Sequence, residues 1–203
     1  TIYAEYLMKK LSGQIDDPDM AKLTQISASA GRIMTFAKEL VQYAKPSNEV
    51  LEPILLNHAV KQALSFCEHL FERSGVELVE SLAEELPSLL AVSGQLEQVV
   101  INLVTNAVHA LGDDGGMVTV STVASGDGLV LSVGDSGAGV PPEEREHVFE
   151  PFFTTKTDGA GTGLGLSIVK NIVEQHSGEI SVGESEHGGA LFSVVLPVVS
   201  TVG

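Results

Sequence analysis

Four glycines stand at alternate positions in Gly159-Ala160-Gly161-Thr162-Gly163-Leu164-Gly165-Leu166-Ser167, and the run passes straight into an apolar-periodic stretch, Leu164 to His176. So much backbone freedom is incompatible with a core strand and places the segment at the mouth of a helix. Backbone amides freed of side chains at a helix N-terminus form an anion site suited to phosphates. The spacing is neither a Rossmann fingerprint, because no strand closely precedes it, nor a P-loop, because no Lys-Ser/Thr follows. A flexible hinge is the plainer alternative, but four glycines exceed what a hinge needs.

An acidic chain that handles a polyanion must concentrate its few cations, or a metal, at one place. The formal charge is −16, which argues against nucleic acid and anionic membrane surfaces as partners. Hydrophobic residues make up 43% of the sequence, enough for a packed core. Cys67 is the single cysteine, so no internal disulfide can form, and a reducing, cytoplasmic setting fits. Its surroundings, Ala63-Leu64-Ser65-Phe66-Cys67, read as a helical core face and make it a buried structural thiol. No run of about 18 apolar residues occurs, and no signal peptide is recognisable. The chain begins at Thr1 without Met and reads as a piece of something longer.

Residues 19 to 45 carry an apolar seam at Ile26, Ala30, Ile33, Ala37, Leu40 and Ala44, with steps alternating between four and three. That is a coiled-coil-like pattern, and it ends at Lys45-Pro46, where proline disfavours helix in the residue before it. Upstream, Ile2 to Leu11 also reads as helix, and Asp16-Asp17-Pro18-Asp19 as a turn with a helix N-cap. Residues 1–48 thus form an antiparallel helical hairpin. Its second arm is about twice as long as its first, although bundle partners are normally matched in length. The reading is that about a dozen residues of the first helix precede Thr1, and that two hairpins pair to close a four-helix core, so that the chain dimerises.

From residue 49 to 203 the texture changes. Helices are expected at Leu55 to Arg73, Gln95 to Leu111 and Leu164 to His176. Strands are expected at Val76 to Leu82, Leu89 to Val92, Met117 to Ala124, Leu129 to Val133, Glu179 to Gly183 and Ala190 to Leu196. Helices mixed with antiparallel strands point to an α+β fold, a two-layer α/β sandwich.

Three further groups carry chemistry. Asn102 and Asn106 lie one turn apart on a helix whose other face is Leu96, Val99, Val100, Leu103 and Val104. Asparagine is a mediocre helix former, so the pair presents two amides where a hard cation or polar ligand could use them, although a bland surface pair explains it about equally well. His109, a turn further on, stands within reach of a phosphate or simply faces solvent. Asp135-Ser136-Gly137-Ala138-Gly139 follows the apolar strand Leu129 to Val133. An acid at a strand end followed by glycines lets backbone approach a flat ligand while the carboxylate accepts a hydrogen bond from an exocyclic amine. Finally, Phe149-Glu150-Pro151-Phe152-Phe153-Thr154-Thr155-Lys156 places three of seven phenylalanines beside the glycine run. Such a segment reads as a lid that packs down on a bound ligand and carries Lys156 toward it.

In this order the four groups resemble the asparagine, first glycine, phenylalanine and second glycine boxes of the sensor histidine kinase catalytic domain. That domain belongs to the wider GHKL group, which includes DNA gyrase B. The resemblance implies a Bergerat fold over 49–203, a mixed sheet with three main helices, and the end of a dimerisation and phosphotransfer hairpin over 1–48. It also implies ATP and Mg²⁺ as ligands, with Asn106 holding the metal and Asn102 as its catalytic companion on the same face. Asp135 would hold the adenine amino group, with Gly137 and Gly139 allowing close approach. Lys156, Thr162, Gly163, Leu164 and Gly165 would meet the phosphates, as would His109, whose place is often Lys or Arg in the family. Ala190 lies where many members carry Thr, which removes a hydroxyl near the adenine.

ATPase relatives carry a glutamate four residues before the metal-binding asparagine. Here that place is Asn102, which cannot act as a general base at neutral pH. Transfer to a positioned histidine is therefore expected over hydrolysis, with relay to an aspartate of a response regulator receiver domain. None of the six histidines lies in the hairpin, so the acceptor is expected before Thr1. Two other readings are a nucleotide-responsive docking module without turnover and a true ATPase. No nucleic-acid partner and no direct membrane contact are expected.

Overall fold

The computed structural model describes residues 6, 9–11, 17–44, 50–126, 128–155 and 161–198. The chain divides into two compact units, Thr1–Pro46 with Thr155–Thr162, and Ser47–Thr154 with Gly163–Gly203.

The first unit is built around helix α1, Asp17–Ala44. Pro18 sits in its first turn, where a missing N–H costs nothing, and Asp17 and Asp19 complement the positive end of the helix dipole. Within the expected seam Ile26, Ala30, Ile33 and Ala37 are all exposed in the single chain. Tyr6 and residues 9–11 are helical, while the rest of the expected first arm and the turn before Asp17 lie outside the described residues.

In the second unit β1 (Glu52–Ile54) precedes α2 (Leu56–Ser74), β2 (Val76–Leu82), β3 (Leu89–Ala91) and α3 (Ser93–Leu111). Then come β4 (Gly116–Ser125), β5 (Gly128–Asp135), α4 (Gly165–Gln175), β6 (Glu179–Glu184) and β7 (Ala190–Pro197). Five strands form one sheet in the order β2-β4-β5-β7-β6, and β1 pairs separately with β3. The sheet is mixed, as the family resemblance implies, with β2 running parallel to β4 and the other pairs antiparallel. The cause is topological: the path from β2 to β4 runs through α3, and a parallel pair needs such a crossover. The sequence reading omits β1, because three residues with a central proline carry no period-two signal.

Alternation along the strands builds the core. Val118 and Val120 of β4, Leu129, Leu131 and Val133 of β5, and Phe192, Val194 and Leu196 of β7 are buried against the helices. The helices answer with Leu56, Val60 and Leu64 of α2, Val99, Val100, Leu103 and Val104 of α3, and Ile168, Val169 and Val173 of α4. Cys67 lies in this layer as expected, and burial pushes its thiol pKa up. The other sheet face is open and mixed: Ser81, Ser121, Ser132, Ser193 and Ser181 stand in register across all five strands, with an apolar row of Val123, Val130 and Val195 beside them. Among the described residues no helix is long and apolar enough to cross a membrane.

Candidate nucleotide-binding site

Helix α3 organises the site. Its buried stripe, Leu96, Val99, Val100, Leu103, Val104, Ala107 and Val108, locks it into the core and leaves Asn102 and Asn106 half-buried at its flank. The Asn102 amide is committed: Nδ2 donates to the Gly165 carbonyl oxygen at 3.2 Å, and Oδ1 accepts from Gln98 Nε2 at 3.3 Å. Asn102 therefore fastens the start of α4 onto α3. Among the described residues Asn106, one turn on, has no side-chain hydrogen-bond partner, although its amide lies 3.8 Å from where a Cβ would stand on Gly165. A half-buried amide left free beside a helix N-terminus is chemically suited to a hard cation or a polar ligand. His109 is exposed on the last turn.

Asp135 ends β5 and is 2% exposed. Its Oδ1 accepts two backbone N–H groups, from Gly137 at 2.8 Å and from Ala190 at 3.2 Å. Oδ2 has no hydrogen-bond partner, and since no sealed side-chain polar atom among the described residues lacks one, this oxygen faces accessible space. Burial pushes the carboxyl pKa up, and the two backbone bonds pull the other way. An acceptor held by two amides, with one lone oxygen turned outward, can read a single donor on a flat ligand.

Glycines make room around it. A Cβ on Gly137 would stand 2.9 Å from the Ala110 carbonyl oxygen and 3.0 Å from Asp135 Oδ1. Gly139 has φ +73° and packs against the Gly188-Gly189 backbone. Sequence reasoning missed Gly189, where a Cβ would collide with Asp135 Oδ1, the Asp135 carbonyl oxygen and the Gly137 nitrogen. A glycine pair in a hairpin turn between β6 and β7 reads as ordinary turn chemistry, and only the register that pairs Leu191 with Gly134, and so brings Ala190 to Asp135, reveals it. Ala190, expected to matter through a missing hydroxyl, contributes its backbone N–H to the Asp135 carboxylate.

At α4, Leu164 is fully buried and no side chain caps the helix, so the amides of Gly165, Leu166 and Ser167 have no partner within it. Gly163, with φ +69°, lies so close to the Phe152 backbone that any Cβ would collide with it, and its carbonyl accepts from Phe152 N at 2.8 Å. Phe152 itself has φ +69°, rare for a residue with a side chain, and is exposed. Lys156 lies outside the described residues, and Thr162 belongs to the other unit. No cluster of three His, Cys, Asp or Glu side chains suited to a metal occurs among the described residues.

Three turns of one helix therefore gather the parts: Asn102 and Asn106 against α4, and Ala110 against Gly137 beside Asp135. Such an arrangement defines an ATP-binding domain of the GHKL class. The family model described as "Histidine kinase-, DNA gyrase B-, and HSP90-like ATPase" matches residues 91–200, and the chain belongs to that family. Within the family its likeness is to histidine kinases. The nucleotide-free catalytic domain of histidine kinase ThkA is 32% identical, with a TM-score of 0.66 over 73% of this chain and 96% of that one. A complex of full-length ShkA with AMPPNP is 25% identical, with a TM-score of 0.73 over 97% of this chain and 44% of that one. Sensor histidine kinase ZraS of Salmonella typhi is 38% identical over 181 residues, 88% of this chain and 38% of that protein. The chain thus spans about two fifths of the length of the curated relatives it matches.

Proposed function

We propose that the chain is the Mg-ATP-binding core of a cytoplasmic sensor histidine kinase, which passes the γ-phosphoryl group to a histidine on a dimerisation helix for relay to a response regulator receiver domain. The observation that carries this reading is the convergence on α3 of a free asparagine amide, an uncapped helix N-terminus and an outward carboxylate oxygen. Response regulator partnership is supported by the complex of ThkA with the response regulator TrrA, 27% identical with a TM-score of 0.75 over 96% of this chain. The exposed seam of α1 fits a homodimer.

In this mechanism Asp135 Oδ2 accepts the adenine amino group, while Gly137, Gly139 and Gly189 let backbone lie against the ring. The first amides of α4 meet the phosphates, with His109 one turn beyond Asn106 on α3, and only the family resemblance assigns Lys156 and Thr162 to the same role. Asn106 would hold the metal, and Mg²⁺, when bound, would supply charge neutralisation on the phosphate oxygens. Asn102, with both ends of its amide in use, has neither the basicity nor the freedom to activate water. Transfer is therefore favoured over hydrolysis, and the remaining work is positioning and electrostatics.

All six histidines lie in the second unit, so the chain alone is expected not to label itself. Mixing it with a dimerisation hairpin that carries a histidine in its first helix tests the reading. Acid-labile phosphate should appear on the hairpin and vanish when Asn106 is replaced by Ala. ATP binding without any transfer would instead make the chain a docking module, and steady phosphate release would make it an ATPase.

A further inference from the structure

His176 follows the last turn of α4, far along the helix from the phosphate-facing end, and is 7% exposed. Its Nδ1 lies 2.8 Å from the Ile172 carbonyl oxygen, and its Nε2 accepts from the Val92 N–H at 3.1 Å. A carbonyl can only accept and an amide can only donate, so both contacts are satisfied only by the neutral imidazole with its proton on Nδ1. Val92 is the N-cap residue just before α3, and its own side chain offers the helix no cap. The His176 ring therefore ties the end of α4 to the start of α3.

At the opposite end of the same helix pair, Asn102 ties the start of α4 to the middle of α3. Between the two ties the buried hydrophobic side chains are aliphatic, Leu96, Val99 and Val100 of α3 and Ile168, Val169, Ile172 and Val173 of α4, while the buried hydroxyl of Ser167 donates within its own turn to the Leu164 carbonyl oxygen. Aliphatic ridges tolerate several axial offsets at little cost, whereas a directional hydrogen bond does not. We infer that His176 is a positioning residue that fixes the axial register of α4 on α3, and so sets how the phosphate-facing amides of α4 stand against Asn106. The inference rests on the Mg-ATP reading of the site, but His176 itself lies outside the nucleotide's reach. Adenine recognition is independent of it, because Asp135 is held by Gly137 and Ala190, neither of which belongs to α4.

That independence supplies the test. Adenosine and Mg-ATP affinities are measured by calorimetry on the whole chain, wild type and variants, with melting temperatures recorded in parallel. His176→Leu should weaken Mg-ATP by about tenfold or more, since small misplacements of a binding group are costly, while adenosine affinity stays within about twofold. His176→Gln, whose Oε1 can accept from Val92, should recover most of the Mg-ATP affinity, and the shorter His176→Asn should not. Parallel loss of both ligands, or no change in either, overturns the inference. If His176→Leu fails to fold, the Gln and Asn variants decide: equal Mg-ATP affinity in the two refutes the pin. Wild-type protein that binds neither ligand would instead overturn the nucleotide reading itself.

Discussion

Replacing Asp135 by Asn changes one atom that matters and leaves the scaffold in place. The asparagine Oδ1 can keep both backbone bonds, from Gly137 at 2.8 Å and Ala190 at 3.2 Å. What changes is the outward atom, an acceptor that becomes an NH₂ donor and meets the adenine amino group donor to donor. A hydrogen bond to a charged partner contributes about 1.5–3 kcal/mol, so ATP affinity should fall by roughly ten- to a hundredfold. A purine with a carbonyl at the same place, as in inosine triphosphate, should lose far less or gain.

Stability should move the other way. Burial raises the Asp135 carboxyl pKa above its ordinary 3.8, against the pull of its two backbone bonds. A raised acid favours folding below its unfolded pKa, and that contribution is lost as pH rises through the folded value. At neutral pH the wild type therefore carries a cost that the amide lacks. The melting temperature of Asp135→Asn should match or exceed wild type at pH 7, and its advantage should shrink as pH falls toward 4. Calorimetric titration of ATP and inosine triphosphate, with melting curves at several pH values, measures both effects. ATP affinity within about twofold of wild type in a folded variant would refute the reasoning.

Gly189→Ala should cost about 1–3 kcal/mol of stability in denaturant unfolding and abolish adenosine binding, because its Cβ strikes the Asp135 carboxylate. Gly183→Ala, with open space around it, should change neither and serves as the control. His147 on the lid approach has its pKa raised by the hydrogen bond and charge of Glu150, which lies 2.9 Å from Nδ1. An NMR titration should show this imidazole titrating above the ordinary histidine value, and Glu150→Gln should bring it down. The pair's contribution is present below the ordinary value and lost as pH rises through the raised one.

Long elements with a clear period were legible in the sequence: α2, α3, α4 and the strands β4, β5 and β7 lie within two residues of where periodicity puts them. The parallel step from β2 to β4 was legible only through the family resemblance, which implied a mixed sheet, because strand direction depends on the crossover and not on the strand's own pattern. Asp135, Asn106 and the glycines before α4 were legible, as each departs from what its element would choose for stability alone. Gly189 and His176 were not: their importance comes from contacts 54 and 84 residues away in sequence, with Asp135 and Val92 respectively. Asn102 was found, but its bond to the Gly165 carbonyl oxygen depends on a helix docking that no local pattern encodes.

The account stands on one nucleotide being held at once by Asp135, Asn106 and the first turn of α4. Manganese in place of magnesium makes that directly observable, since the bound ion broadens nearby NMR signals. With Mn-ATP the side-chain amide of Asn106 and the backbone amides of Gly163 to Ser167 should broaden together, while Mg-ATP shifts the amides of Gly137 and Ala190. Broadening centred elsewhere, or adenine-side shifts without any effect at Asn106, would contradict it.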